Sequence, residues 1–428
     1  MSFLYNLPNE LLIVIFRFCD VYTLSQISMV CKQFCHVSYM ILNEKANQLL
    51  VTNQVSEKFS ERCKSLLTLY NSKFITHYNW KHGIYKENKI CELRTAIYNK
   101  IWVKMTKNTV ALFHINSFIA YNRTQNGTLE RQVDKNCDSL IGDVTYCNDV
   151  IISCHSDGSL RFWRIQSRGK NTNYFAQLKI QSKVHNDTIN LLDATSQHII
   201  LGCWSGKNAT VKIQKNIYEK DGCEERNQIF YRKDGDVNSI SFDPIGTKFA
   251  ANIYDREDRR NSVLIYDIDK SSQIMEKKYD GSFDQLLWED PHTILTLTAD
   301  YIKKIDMRTS EFVHICNISP IREHSYDGLT CFSSDHLNTI MTGTSYGKVI
   351  LWDQRQSAPI QMYPMRSVKR PHTRYSVWIY NIQFDSTHLY AVTKDSLYEL
   401  DFKGRDHLDL RKKRAYDKKI KKFFVNFF

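Results

Sequence analysis

The sequence has no apolar run long enough to cross a lipid bilayer and no recognisable export signal. A membrane helix needs about 20 mostly apolar residues, whereas the LLIVIF run at positions 11–16 has six. No basic segment precedes this run and no small-residue cleavage site follows it. We therefore expect an intracellular protein, in the cytoplasm, the nucleus or both, that does not engage a membrane.

The motifs of common enzyme classes are missing as well. We find no Gly-rich phosphate loop, Cys-x-x-Cys pair, His-Glu-x-x-His or Gly-x-Ser-x-Gly element. Cys31 and Cys35 lie one helical turn apart, but no further His or Cys pair completes a metal site. We predict a protein that is not an enzyme and that uses no cofactor and no metal, with its 12 cysteines reduced.

A strongly basic body is also lacking, although the formal net charge is +12. The segment from Lys403 onward holds 10 Lys/Arg against 3 Asp/Glu, which leaves +5 for the rest of the chain. The basic tail, 403–428, is predicted to be disordered, and it can serve as a nuclear address, as an arm for anionic surfaces or as a solvated end. Nucleic acid is therefore a poor candidate partner for the body.

What the chain does have is a repeated strand–turn–strand unit. The unit is clearest in TGTSYGKVILWDQR, Thr342–Arg355, and it recurs as IISCHSDGSLRFWR, Ile151–Arg164. A single hairpin is marginal in water, so repeated hairpins predict copies stacked around a common core. Seven groups fit the pattern, at 110–122, 150–164, 198–214, 247–268, 293–308, 339–355 and 388–402.

The position of Trp in Trp-Asp returns after about 40–54 residues, which is the spacing of WD repeats. Ser153, Asp157 and Trp163 fit the side-chain network of such a blade, although only Trp352-Asp353 keeps the dipeptide intact. The predicted fold class is an all-β seven-bladed WD-repeat β-propeller, over 101–402, with an N-terminal all-α module and a helical linker.

Residues 1–50 form the predicted α-helical module. Pro8 and Glu10 suit a first helical turn, Asp20 suits the N-cap of a second helix, and the apolar residues recur at helical spacing. A bundle this small buries little surface, so an apolar face left over is a candidate interface.

The module resembles the F-box family in Leu7-Pro8-x-Glu10-Leu11-Leu12, Ile15-Phe16, Asp20, Leu24 and Val30-Cys31-x-x-Phe34. Phe34 stands where many members have Trp. The resemblance implies docking on the Skp adaptor, which joins the receptor to a cullin-RING ubiquitin ligase. The implied adaptor-binding residues are Leu7, Pro8, Leu11, Leu12, Ile15, Phe16, Leu24, Val30, Cys31 and Phe34.

Residues 51–100 are predicted to form a helical linker. Phe59–Asn71 has the pattern of a short amphipathic helix. The Asn79-Trp80-x-x-Gly83 element resembles the linker of F-box/WD-repeat proteins, and we assign Trp80 to packing.

Two insertions fall on the rim that carries the second-to-third-strand and inter-blade loops. They are Asp255–Asn261 and Arg366–Arg374, and the second contains no acidic residue. Clustered guanidinium groups bind phosphate well, so we consider an acidic or phosphorylated substrate beside the simpler interpretation as solvated loops. The candidate substrate residues are Arg256, Arg259, Arg260, Arg366, Lys369, Arg370 and Arg374.

These features favour the substrate-recognition subunit of an adaptor–cullin–F-box ubiquitin ligase, whose protein substrates remain unidentified. The alternative is a non-catalytic WD-repeat scaffold, nuclear or associated with ribonucleoprotein, for which the basic tail is the main support. Salt-sensitive RNA binding by the propeller favours that alternative.

Overall fold

The computed structural model describes residues 6–403 except 65–66, 68–69, 94–100, 125–128, 148–149, 169–171, 182–187, 205–207, 216–227, 280–284, 310, 323–326 and 366–377. The chain begins with helices and continues as antiparallel strands. The helices are α1 (Asn9–Arg17), α2 (Val21–Ile27), α3 (Lys32–Asn47), α4 (Glu57–Ser60) and α5 (Tyr70–His82). None of these helices is both long and apolar enough to pass through a bilayer.

The strands that follow form seven blades, which confirms the predicted fold class. The first four strand sets are β2 (Ile101–Met105), β3 (Thr109–His114), β4 (Ser117–Arg123), β5 (Leu129–Asn136); β6 (Ile141–Cys147), β7 (Val150–His155), β8 (Leu160–Arg168), β9 (Thr172–Gln181); β10 (Thr188–Ala194), β11 (His198–Trp204), β12 (Asn208–Lys215), β13 (Gln228–Phe242); β14 (Lys248–Asp255), β15 (Arg260–Asp267), β16 (Ser272–Tyr279). The remaining sets are β17 (Gln285–Asp290), β18 (Thr293–Leu297), β19 (Tyr301–Asp306), β20 (Glu311–Asn317); β21 (Leu329–Ser334), β22 (Thr339–Thr344), β23 (Lys348–Asp353), β24 (Pro359–Pro364); β25 (Ile379–Phe384), β26 (His388–Thr393), β27 (Ser396–Asp401), and β1 (Lys86–Glu92).

Two departures from regular blades stand out. The long strand β13 serves two blades: its first half pairs with β12 and its second half, from Gly235, pairs with β14. Blades three and four therefore form one seven-stranded sheet. A Cβ on Gly235 would lie 2.2 Å from the Tyr254 carbonyl oxygen, so only glycine permits this close crossing.

The second departure corrects the predicted boundary at residue 100. β1, which the sequence analysis assigned to the linker, is the outer strand of the seventh blade and pairs antiparallel with β27. The ring is thus closed by joining a strand from before the first blade to the last strand of the propeller. Its sequence, KENKICE, is mostly exposed and polar, so it carries little of the apolar alternation that marks the inner strands.

The predicted helix over Phe59–Asn71 is also wrong in its extent. α4 ends at Ser60 and α5 begins at Tyr70, and Glu61–Lys64 is not helical. Tertiary contacts explain the difference, since Arg62 donates to the Ser334 carbonyl oxygen at 3.2 Å and the Cys63 side chain is buried in the propeller core. Helical spacing alone does not compete with such contacts.

The hydrophobic core lies within the blades and between neighbouring blades. Strands β7, β22 and β26 are buried at every position, and neighbouring blades share apolar clusters. Trp163 and Trp352 are buried, and each indole donates to a hydroxyl on the preceding strand, Ser153 at 3.0 Å and Thr342 at 2.9 Å. The predicted network partner Asp157 is instead exposed, and His155 lies 2.9 Å from the Ser153 hydroxyl.

Candidate partner-binding surfaces

The helical module has one apolar face turned inward and another turned to solvent. α1 buries Leu12 and Phe16, and Phe16 makes an edge-on ring contact with Phe34 at 5.3 Å. With Leu24 of α2 and three aliphatic residues of α3, these side chains form the core of the module. Because they already fill a core, the structure removes them from the surface available to a partner.

The opposite side of α1 is apolar as well. Leu11, Val14, Ile15 and Phe18 are 51%, 53%, 42% and 89% exposed. Their spacing of i, i+3, i+4 and i+7 places them in one stripe along the helix, which we call the α1 stripe. Met29 and Val30, between α2 and α3, are also exposed, at 71% and 47%. An apolar stripe on so small a module is the kind of surface that a partner protein covers.

Capping contacts fix the helices that carry the stripe. The Asp20 carboxylate accepts the Thr23 amide at 2.6 Å and begins α2, as predicted. This hydrogen bond lowers the pKa of Asp20. The Cys31 sulfur accepts the Phe34 amide at 3.4 Å and begins α3. Cys31 therefore has a local structural role in addition to any role at an interface.

The ten predicted adaptor-binding residues thus separate into three groups. Leu12, Phe16, Leu24 and Phe34 are buried in the core of the module. Leu11, Ile15 and Val30 are well exposed, and Pro8 is exposed as well. Leu7 and Cys31 are half-buried against the module core. Val14, Phe18 and Met29 are exposed beside them but were not among the predicted residues, although the helical spacing of the first two indicates the same stripe.

A second surface joins the linker to the propeller and is buried. Trp80 of α5 is fully buried and stacks on Phe402 with ring centroids 3.6 Å apart. Its indole donates to the Ser386 carbonyl oxygen at 2.9 Å, and the Tyr363 hydroxyl donates to the Trp80 carbonyl oxygen at 2.6 Å. Trp80 is a packing residue, as predicted.

The same helix reaches both parts of the molecule. Phe74 of α5 packs against the core of the helical module, and Trp80 lies six positions further on in the propeller core. Six helical residues span about 9 Å. A single helix therefore connects the module to the propeller with side chains anchored at each end.

Charged residues complete this junction. Arg123 of β4 forms a buried ion pair with Asp385 and donates to the Arg62 carbonyl oxygen at 2.7 Å. Arg123 contributes to holding the pKa of Asp385 well below its usual range, against the opposing effect of burial. The pair ties the first blade, the seventh blade and the linker together.

A buried acid lies beside the linker as well. Burial raises the pKa of Glu289 to about 7 and lowers that of His336 to about 3. Glu289 accepts from the Ser334 hydroxyl at 2.8 Å and from the Gln354 amide at 2.6 Å. The other Glu289 oxygen lies 3.7 Å from His336 Nδ1, whose ring is 3.3 Å from Arg62 through Nε2.

Some of the predicted substrate residues lie within the described part of the chain and others lie outside it. Arg366, Lys369, Arg370 and Arg374 lie outside the described residues. Arg256 donates from Nη2 to both carboxylate oxygens of Asp236, at 2.9 and 3.2 Å, and its Nη1 lies 3.6 Å from Asp234, which leaves it a poor choice for a phosphate ligand. Arg259 and Arg260 are exposed at the turn between β14 and β15. Acidic neighbours in the same turn, Glu257 and Asp258, oppose the basic charge.

Within the described part of the chain, no three His, Cys, Asp or Glu residues gather closely enough to hold a metal ion.

Comparison with known proteins agrees with this architecture. Residues 4–43 match the F-box-like family model. Over 423 residues the chain is 24% identical to F-box/WD repeat-containing protein 4 of Homo sapiens, covering 94% of this chain and 93% of the relative. Its Mus musculus counterpart is 23% identical over 424 residues, covering 94% of each. The computationally designed Ika8 protein matches 73% of this chain and 99% of its own, with 13% identity and a TM-score of 0.48.

An F-box-like module followed by a seven-bladed propeller is the domain arrangement of F-box/WD-repeat proteins, and the chain is similar to that class. Within that class it is similar to F-box/WD repeat-containing protein 4, also called dactylin, along nearly its whole length. This confirms the family resemblance inferred from the sequence.

Proposed function

We propose that this protein is a non-catalytic substrate-recognition subunit of an adaptor–cullin ubiquitin ligase. Its F-box-like module binds the Skp adaptor, and its propeller binds the protein that is to be ubiquitinated. The observation that carries the first half is the α1 stripe, which stays exposed after the module has filled its own core. Each apolar side chain of the stripe contributes roughly 1.5–3 kcal/mol when fully buried by a partner.

The junction supports the second half of the proposal. The linker packs against the turns at Ser334–Thr339 and Phe384–His388, which join first to second strands. Successive strands of a blade run in opposite directions, so the second-to-third-strand and inter-blade loops lie on the other face. The linker contacts cited here all lie on the first face, so we assign the substrate to the other face while the module holds the adaptor at a fixed distance.

The test is capture of the purified full-length chain by the Skp adaptor. Leu11→Asp/Ile15→Asp places charge in the α1 stripe and is expected to abolish capture, because an uncompensated charge cannot be buried in an apolar interface. Val313→Asp is the matched control: Val313 is 55% exposed, on β20 of the propeller. Equal capture of both variants and of the unmodified chain contradicts the proposal.

A Phe16→Ala variant is unsuitable for this purpose. Phe16 is 3% exposed and supports the module core, so loss of capture would report unfolding as readily as a lost contact. The exposed pair avoids that ambiguity, provided that circular dichroism shows unchanged helix content.

A further inference from the structure

A cavity of about 430 Å³ opens into the propeller on the face opposite the linker. Its volume falls within the range typical of ligand sites, about 300–1,000 Å³. The first four blades contribute its walls, and none of the lining side chains is charged. The lining residues include Ile115, Leu140, Gly142, Asn190, Leu191 and Asn238.

Three of the lining residues lie at strand irregularities. The innermost strands β6, β10 and β13 each shift register by one residue near this face, at Gly142, Asn190 and Asn238. The innermost strands β21 and β25 shift in the same way, so the bulge is a feature of several blades. Here it leaves Asn190 and Asn238 outside the regular ladder, where both line the cavity.

The mouth of the cavity exposes apolar groups. Leu140 is 55% exposed, and Ile115 has a φ of 50°, a region that a β-branched residue rarely adopts. The turn is held there because the Ile141 amide donates to the Ile115 carbonyl oxygen at 2.6 Å. Strain of this kind persists where the surroundings impose it and is common at ligand-binding positions.

Among the described side chains, carboxylates predominate over cations close in sequence to the lining residues. Asp138, Asp157, Asp234 and Asp236 are close in sequence to lining residues. Two guanidinium groups oppose these four carboxylates. Arg161 lies 3.7 Å from Asp157 with only 9% of its side chain exposed, and Arg256 is bound by Asp236. A phosphate group brought to this mouth meets net repulsion, whereas a lysine or arginine is attracted.

We propose that this cavity takes an aromatic or large aliphatic side chain from an unphosphorylated substrate segment in which a neighbouring Lys or Arg contacts the acidic mouth. The inference rests on the proposed function, because it names the substrate class that the propeller selects. It differs from the expectation of an acidic or phosphorylated substrate, which rested on the loop Arg366–Arg374 outside the described residues.

The probe is an oriented peptide library bound to the immobilised full-length chain. One central position is fixed in turn as each common residue, phosphoserine or phosphothreonine, and the flanking positions are random. The expected result is strongest binding with Phe, Trp, Leu or Met at the fixed position and enrichment of Lys and Arg beside it. Strongest binding with a phosphorylated residue, acidic flanks, or no binding above background overturns the proposal.

Variants then locate the site with the best peptide from the library. Asn190→Trp fills the cavity from an exposed bulge position, and Leu140→Asp charges its mouth. Each is expected to weaken the peptide by at least about tenfold, the scale of losing one central anchor. Ile245→Asp is the matched control, because Ile245 is 73% exposed on the opposite face.

If either cavity variant unfolds, Asp138→Asn/Asp157→Asn tests the same site through exposed side chains and is expected to reduce the enrichment of Lys and Arg. Unchanged binding in the folded variants contradicts the proposal. Adaptor capture by the same preparations reports separately on the proposed function, so failure of one is distinguishable from failure of the other.

Discussion

Helices α1 and α5 both carry large apolar residues, but α1 exposes a stripe of them to solvent and α5 buries Trp80 in the protein. α1 leaves four apolar side chains in solvent, whereas α5 inserts Trp80 fully into the propeller and satisfies its indole with a carbonyl oxygen. A buried group that is packed and hydrogen-bonded stabilises the fold, and an exposed apolar stripe is available to a partner. The comparison assigns α5 to rigidity and α1 to binding.

The largest expected loss of stability comes from removing the Trp80 side chain from the junction between α5 and the propeller. Trp80→Ala is expected to lower the free energy of unfolding of the propeller by about 3–5 kcal/mol, because it leaves a cavity between Phe402 and Tyr363. Urea denaturation followed by tryptophan fluorescence measures the loss. Tyr78→Ala is the control on the same helix, since Tyr78 is 55% exposed, and a comparable loss in that variant argues against a specific junction.

Removing one partner of the buried Arg123–Asp385 ion pair is expected to destabilise the protein nearly as much. Arg123→Ala leaves the Asp385 carboxylate buried without its cation, which typically costs about 3–5 kcal/mol. Arg308→Ala breaks a solvent-exposed pair with Asp306, 2.7 Å long, and is expected to destabilise the protein much less. Thermal unfolding of both variants compares the two pairs directly. Similar destabilisation by the two substitutions contradicts the account of the junction.

The buried acid Glu289 makes the free energy of unfolding depend on pH. Its pKa rises from 4.5 to about 7 on folding, so the folded protein binds this proton more tightly than the unfolded chain. The free energy of unfolding therefore falls as pH rises from about 4.5 through about 7. Glu289→Gln removes this loss and is expected to gain up to about 3 kcal/mol over the parent at pH 8, with no gain at pH 4.

Denaturant unfolding of parent and Glu289→Gln proteins at both pH values tests the sign. A variant that loses stability at pH 8 shows that the carboxylate is needed in its charged form. His336, whose pKa falls on folding, has the opposite dependence. Because it lies 3.7 Å from Glu289, the same comparison in a His336→Gln background separates the two groups.

The α1 stripe gives the smallest effect on stability. Leu11→Ala/Ile15→Ala removes exposed methyl groups, so each substitution is expected to change the free energy of unfolding by no more than about 0.5 kcal/mol. The same pair is expected to weaken adaptor binding by more than about tenfold. Calorimetric titration with the adaptor beside thermal unfolding separates the two quantities, and a large loss of stability without a loss of affinity reverses the assignment.

The inner strands of the blades could be predicted from the sequence because local residue patterns determine where they form. Strands β22 and β23 pair with each other across the turn at Gly347, whose φ of 70° suits glycine. β1 was not predictable, because KENKICE is polar and its partner β27 lies more than 300 residues away. Pairing over such distances is not encoded in periodicity.

The helical module shows the same limit at its surface. Leu11 and Leu12 both fit the sequence motif, yet one is 51% exposed and the other is fully buried. Which side of α1 faces inward depends on how α2 and α3 pack against it. The motif identifies the apolar residues of the module without dividing its core from its contact surface.

Hydrogen–deuterium exchange of the full-length chain with and without the Skp adaptor tests the central claim most directly. We predict slower exchange over Leu11–Phe18 and Met29–Val30 in the complex and unchanged exchange over Tyr70–His82. Unchanged exchange in α1 together with protection elsewhere would show that the α1 stripe is not the docking surface.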